Sequence, residues 1–324
     1  MSTAAELLAD GGEAAASPEF FRSAPFMEAE GVTHTLRVEA DGDELRGPLV
    51  VREIADAERG ATEERGTRNE ERAADATSPY GYPGFSGPAS APLDPGEVDW
   101  AGTGLVSIFI RHRLGAPPPM AGATERGRVQ IADPSLPRKS RMSDRQQIRR
   151  NLKRGYQIRR IEGPEAGEED RAGFLRAYAE TMRRAGASER YFFGKEYFDR
   201  ILRFQRSWLF VAVAPGGELA AGSIGTQSDG MLHYYLSGTA DAFLRDSSMK
   251  NIVSAMSDFA EELELPLNLG GGVEPGDALE GFKRGFANRT EPFYTSEVVC
   301  DAARYERLST GRQRAGFFPA YRAP

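Results

Sequence analysis

Hydrophobic and polar positions in the second half of the chain follow two periods in turn. In "RAGFLRAYAETMRRAGA", Phe174, Leu175, Tyr178 and Met182 recur at helical spacing and predict one apolar helix face. "KEYFDRILRF" repeats that pattern, and "SSMKNIVSAMSDFAEEL" predicts a third helix with Ile252, Val253, Met256, Phe259 and Leu263 inward. "WLFVAVA", "LAAGSIGTQ" and "MLHYYLSGT" read as strands. The turn signals Pro215-Gly216-Gly217 and Asp229-Gly230 join them into an antiparallel meander. "PLNLGGG" reads as a further strand, "DALEGFKRGF" as a short helix and "PFYTSEVVCD" as a strand. A single crossover helix in this order lays the "PLNLG" strand beside and parallel to the "MLHYYLSG" strand.

The first half is less regular. Residues 1–17 are small and polar and read as a frayed tail. "THTLRVEADGDELRGPLVVREI" holds two extended runs around Asp41-Gly42-Asp43, a hairpin signal. Residues 56–77 are charged and nearly free of large apolar side chains, which predicts a surface loop or short disordered insertion. "SPYGYPGFSGP" sets aromatics between glycines and prolines and excludes a regular helix or central strand. "GLVSIFIRH" reads as a buried strand. "RMSDRQQIRRNLKRGYQIRRI" reads as a helix followed by a strand, with Ser143 and Gln146 as a capping box and Gly155 at the C-terminal cap. The stretch 162–170, rich in Gly, Pro and acids, is the expected boundary between two halves.

Composition narrows the class. The 324 residues are 40% apolar and 10% aromatic, enough for a packed core, and the net charge of -7 argues against a generic nucleic-acid coat, so no DNA partner is expected. One cysteine, Cys300, allows no intrachain disulfide and no cysteine-rich metal site, in keeping with a reducing cytoplasm. The N-terminus lacks the basic and apolar regions of a secretory signal, and no run approaches the length of a membrane span.

"SPYGYPGF", "RRNLKRGY", "HYYLSGT", "NLGGGV" and "FKRGF", in this order, resemble the FemAB-like branch of the GNAT acyltransferase superfamily. The resemblance runs from about residue 18 to the end. It implies an α/β (α+β) fold of two tandem GNAT-like halves, 18–162 and 163–324, with mixed sheets flanked by helices. Members of that branch move amino acids from aminoacyl-tRNA to an amine. The coiled-coil arm of the large bridge-forming enzymes has no counterpart here, because no sustained heptad run exists. The expected partners are therefore an aminoacyl-tRNA donor and an amine-bearing peptide or small-molecule acceptor, with no cofactor.

Amide formation from an activated ester needs the donor aligned with the amine, a proton removed from the amine, and donors for the oxyanion. In a GNAT-like fold these needs meet where two parallel strands splay. Gly270, Gly271 and Gly272 would form the rim of such a cleft, since glycines let a substrate approach the backbone. They would serve equally as a plain strand exit. Phe282 and Phe286 anchor one face of a short helix and turn Lys283 outward, beside Arg284. The resemblance implies that the lysine of "FKRGF" faces the substrate, where a cation binds a phosphate or steadies the oxyanion. Without that role it is a solvated surface lysine. Tyr234 and Tyr235 point to opposite faces of their strand, one to the core and the other to the cleft or solvent, where it could donate a proton to the leaving hydroxyl. His233 and His112 could each act as a base, although a single strand histidine is more often structural. Tyr80 and Tyr82 either line a pocket or plug the core edge. Residues 138–160 carry ten Lys and Arg against the single acid Asp144, and Arg149, Arg150, Lys153 and Arg154 suit a phosphorylated partner or a solvated helix face.

An acyl-CoA enzyme of this fold cradles the pyrophosphate in a Gly-rich loop at a helix N-terminus. The corresponding place reads "SGTADAFLRDSSMKN", without a glycine pair. An aminoacyltransferase is the first expectation, an acyl-CoA N-acyltransferase the second, and a GNAT-like binding module the third. No metal-ligand spacing stands out.

Overall fold

The computed structural model describes residues 3–40, 43–54, 73–88, 92–312 and 316–323. Two compact units emerge: Met1–Arg126 with Phe293–Pro324, and Gly127–Pro292. The boundary expected at 162–170 is therefore replaced by one at 126/127. Strand β7 (Gln157–Glu162) pairs antiparallel with β8 (Ser207–Val213) inside unit 2, so 162–170 is a strand-to-helix connection within one sheet.

Unit 1 contains β1 (Ala4–Leu8), α1 (Ala24–Glu30), β2 (His34–Ala40), β3 (Asp43–Glu53), β4 (Ala74–Thr77) and β5 (Ser107–Arg111). Its sheet runs β1-β2-β3-β4-β5 and ends on β12 (Arg289–Val299). The expected hairpin is formed by β2 and β3, paired out to Ala40 and Asp43. Its tip at 41–42 lies outside the described residues, as does 56–72 of the expected charged loop. The last part of that loop, Ala74–Thr77, is a strand, pairing antiparallel with β3 and parallel with β5.

The expected N-terminal tail is corrected too. Ala4–Leu8 pairs with β2, Ala5 is buried, and the Asp10 carboxylate accepts the N–H groups of Gly12 and Ala14 and the Thr35 hydroxyl. The stretch looks tail-like because its order comes from a strand far along the chain. The C-terminal helix α7 (Ala302–Ser309) precedes Tyr321, whose hydroxyl shares a 2.8 Å hydrogen bond with Ser107.

Unit 2 holds α2 (Met142–Lys153), β7, α3 (Glu168–Arg184), α4 (Lys195–Ile201), β8, β9 (Leu219–Ser228), β10 (Met231–Thr239), α5 (Met249–Glu262), β11 (Leu267–Gly270) and α6 (Ala278–Arg284). Its mixed sheet has the order β6-β11-β10-β9-β8-β7, β6 being Thr124–Ala132. The meander is antiparallel, and β10 and β11 are parallel, as the crossover helix requires. Phe210, Leu232, Ile252, Met256, Phe259, Leu267 and Phe286 form its core.

No helix among the described residues is long and apolar enough to cross a membrane.

Helix α2 lacks the expected capping box. It begins two residues earlier, with Arg141 as N-cap and no side-chain cap bond. Its C-terminal signal is borne out: Gly155 adopts φ +95°, its N–H reaches Leu152 O, and Tyr156 N–H reaches Asn151 O.

Helix α3 packs on the meander through contacts that only glycine admits. A Cβ on Gly238 would lie 2.4 Å from the backbone nitrogen of Tyr178. Gly238→Ala should therefore push α3 off the sheet and lower unfolding free energy by about 1–3 kcal/mol. Urea unfolding checks this, and an unchanged midpoint would show that α3 shifts freely.

Candidate active site

The parallel pairing of β10 with β11 is short. Leu232 pairs with Leu267 and His233 with Asn268, and there it stops. Both strands are irregular just beyond. The β9–β10 register shifts between Tyr234 and Leu236, leaving Tyr235 as a bulge. The β11–β6 register shifts between Asn268 and Gly270, where Gly270 turns to φ +77°. Bulges raise local twist, so the strands diverge from the same level.

The three glycines do different things at this opening. Gly270 carries the left-handed turn, and a Cβ there would sit 3.0 Å from Lys283 Nζ. Gly271 offers its carbonyl, which accepts a 2.6 Å hydrogen bond from Lys283 Nζ. Gly272 is structural, because a Cβ would lie 2.5 Å from the Asp277 carboxylate. Asp277 caps α6 through Glu280 N–H and also accepts Val273 N–H, folding the loop back on the helix. These backbone hydrogen bonds hold its carboxyl below the usual range.

Lys283 stands at the splay, beside Gly270, Gly271 and Tyr234. Its Nζ lies 5.9 Å from the centroid of the Tyr234 ring. It is not the exposed residue of the sequence reading: only 8% of its surface is accessible. Phe282 and Phe286 are in edge contact at 5.6 Å, as their spacing expects, but Lys283 is more buried than Phe282 and is covered by the Gly271 loop and the Tyr234 ring. Burial pulls its pKa down to about 8, partly offset by Asp277. Among the described residues no carboxylate lies within ion-pair distance of its ammonium, and its one hydrogen bond goes to Gly271. Arg284 points elsewhere, half-exposed and 3.6 Å from Glu280.

The tyrosines separate as alternation requires. Tyr234 lies on the Lys283 side, its hydroxyl bonded to Ser237 Oγ at 2.5 Å and its pKa pushed up to about 12 by burial. Tyr235 takes the opposite face, its hydroxyl 2.7 Å from that of Tyr197 on α4.

His233 is held structurally. Its Nε2 donates to Ser228 O at 3.2 Å, Nδ1 accepts from Asn268 Nδ2 at 3.1 Å, and burial lowers its pKa to about 4. His112, in unit 1, is also fully buried and depressed to about 4. Tyr80 and Tyr82 belong to unit 1 as well. Tyr82 packs edge-on against Phe21 and Phe293, which favours the core-edge role, and Tyr80 is exposed.

Helix α2 fastens across the sheet's helices with a polar inner face. Buried Asp144 pairs with Lys250 at 2.9 Å, and Arg141 Nη2 donates to Gly281 O on α6. Buried Asn151 donates to Asp246 O and to Asn251 Oδ1, and Gln147 also reaches Asp246 O. Arg154 and Tyr156 bind the Asp246 carboxylate, which lowers its pKa. Arg154 is thus committed to the protein and leaves the phosphate-binding set. Arg138 pairs with Asp258 and Glu261, Arg159 with Asp170, and Arg160 with Glu262. Arg149, Arg150 and Lys153 remain exposed and, among the described residues, unpaired. Arg149 also lines an open groove of about 340 Å³ with Arg138, Ser140, Arg145, Ser254 and Asp258.

Sequence reasoning passed over Asn268, Asp277 and the Asp144–Lys250 pair. Asn268 lay in view at the head of "NLGGG", but its partner follows only from the parallel register. Among the described residues, no group of three or more His, Cys, Asp or Glu could hold a metal ion.

The depressed pKa of Lys283 gives a stability prediction. Folded, it titrates near 8; unfolded, near 10.5. Between those values the unfolded chain binds more protons, so stability rises with pH, by up to about 3 kcal/mol. The stability of wild type minus that of Lys283→Met should climb across pH 8–10.5 and stay flat below pH 7. A flat difference throughout would place the ammonium in solvent.

Comparison with known proteins now adds to this geometry. Residues 138–284 match the family model described as an acetyltransferase (GNAT) domain. No curated protein matches the chain in sequence. Among solved structures, the chain is similar to the C-terminal domain of a putative lysylphosphatidylglycerol synthetase from Agrobacterium fabrum, with TM-score 0.55 at 13% identity over 91% of this chain and 92% of that one. It is similar to FemX, with TM-score 0.52 at 12% identity over 80% and 87%. A conserved protein of unknown function from Bacteroides thetaiotaomicron gives 0.51 at 12% identity over 88% and 91%. At such identities the likeness is one of fold. Residues 138–284 thus match a GNAT-domain model, and the chain shares the α/β fold of FemX.

Proposed function

We propose that the protein is an N-acyltransferase that moves an amino acid from aminoacyl-tRNA to an amine. The observation that carries this reading is the buried Lys283 ammonium beside the β10–β11 splay. The donor ester carbonyl would lie between the diverging strands. The acceptor nitrogen attacks its carbon, and the developing oxyanion meets the Lys283 ammonium. Collapse breaks the bond to the ribose oxygen, which takes up a proton as the new amide nitrogen loses one. A lysine whose pKa is drawn down to about 8 can pass that proton at neutral pH. Tyr234 suits this less, because its hydroxyl is engaged with Ser237 and its pKa is raised.

The choice of donor rests on α5. Its N-terminal approach is occupied by Gln147, Asn151 and the Asp246 carboxylate. A pyrophosphate there would have to displace side chains already committed to one another, with the Asp246 carboxylate held by Arg154 and Tyr156. On α2, Arg149, Arg150 and Lys153 offer unneutralised charge that suits RNA phosphates. An acyl-CoA donor is the second reading, favoured by the acetyltransferase family match.

Radiolabel transfer from charged tRNA or acyl-CoA to a panel of amines tests the proposal. Transfer from charged tRNA that RNase abolishes supports it, RNase-insensitive transfer from acyl-CoA selects the second reading, and no transfer leaves a GNAT-like binding module. Lys283→Met should lower kcat by about 10²–10³ if the ammonium meets the oxyanion. If it instead binds a substrate phosphate, KM should rise with kcat little changed. Wild-type kinetics in a folded variant would remove Lys283 from the chemistry. Replacing Arg149, Arg150 and Lys153 by Gln should weaken donor binding and flatten the log–log salt slope by about 2–3. An unchanged slope would leave α2 as a solvated face.

A further inference from the structure

Behind Lys283 lies a chain of buried hydrogen bonds whose directions are forced. Ser228 O can only accept, so His233 Nε2 carries the proton toward it. His233 Nδ1 therefore accepts, and Asn268 Nδ2 donates to it at 3.1 Å. The Asn268 carbonyl oxygen then faces the other way and accepts Gly270 N–H at 2.8 Å. Gly270 is the residue at φ +77°, and the next carbonyl, that of Gly271, accepts Lys283 Nζ. His233 and Asn268 are each 2% exposed and paired across the parallel strands. A buried polar pair is costly unless satisfied, and here both members are.

We propose that Asn268, with His233 behind it, is a positioning residue: its amide fixes the left-handed turn at Gly270 and so aims the Gly271 carbonyl at the Lys283 ammonium. This rests on Lys283 being the group that meets the transferring carbonyl. Asn268 touches no reacting atom. It acts through the turn, which without an acceptor for Gly270 N–H would open and release the lysine. The ionisable groups facing Lys283 are Asp277 from the cap of α6 and Tyr234 from β10. Asp144 of α2 approaches the end of α6 at Gly285 and is already paired with Lys250. Asp229 is the charged group acting on His233.

The test compares Asn268→Ala, Asn268→Asp and Gly270→Ala in the full chain by competitive acetylation of Lys283, a readout that needs no substrate, and by transfer kinetics. In Asn268→Ala, the Lys283 labelling midpoint should rise from about 8 toward the ordinary 10.5. Transfer kcat should fall about 10²-fold with little change in KM. Asn268→Asp keeps an acceptor for Gly270 but turns a carboxylate toward His233 Nδ1, which must then be protonated to pair with it. It should transfer well at low pH and lose activity as pH rises through the titration of that pair, a limb absent from wild type. If Asn268→Ala does not fold, Gly270→Ala strains the turn and sets a methyl 3.0 Å from Lys283 Nζ, which should displace the ammonium from Gly271 and shift its labelling in the same direction. Wild-type labelling of Lys283 in a folded Asn268→Ala or Gly270→Ala protein overturns the inference, even if transfer is seen. Shifted labelling without any transfer upholds the positioning and instead sinks the proposed reaction.

Discussion

The parallel pairing of β10 with β11 is the constraint on which the candidate site depends. It lasts two residues on each strand, then meets a bulge at Tyr235 and a left-handed turn at Gly270. Continued pairing would have consumed the backbone groups at this level and closed the opening. A crossover helix sets the strands parallel, and bulges part them. The loop that follows is folded back by Asp277, so that α6 delivers Lys283 to the gap. Each step satisfies backbone groups that burial would otherwise leave costly.

Helix α2 divides its polar residues between an inner face that is paired and an outer face that is exposed. Its inner face is Asp144, Gln147 and Asn151, paired with Lys250, Asp246 and Asn251. These bonds tie the turn before α5 to α2. The outer face keeps Arg149, Arg150 and Lys153 in solvent.

Much of this was legible in the sequence, for reasons that differ by residue. The meander, the crossover and the parallel pair follow from periodicity and chain order, which are local. The edge contact of Phe282 with Phe286 follows from their i, i+4 spacing. The burial of Lys283 does not, because the covering groups, Tyr234 and the 270–277 loop, come from other elements. The structural part of Gly272 was hidden for the same reason, since its neighbour is Asp277. Residues 1–17 read as a tail because Ala4–Leu8 has little strand propensity and is ordered by β2. The boundary at 162–170 was misplaced because Gly and Pro mark a connection without saying whether a sheet continues across it. Arg154 looked like its neighbours on α2 until Asp246, ninety residues on, proved to be its partner.

The candidate site stands on Lys283 as a buried, partly neutralised cation beside the opening between β10 and β11. Lysine-selective NMR titration tests it most directly, with the Lys283 signal assigned by its loss in Lys283→Met and followed with and without a non-hydrolysable 3′-aminoacylamido-adenosine. The account predicts a midpoint near 8 and a signal that moves when the donor mimic is added. A midpoint at the ordinary 10.5, with a signal indifferent to the mimic, would contradict it.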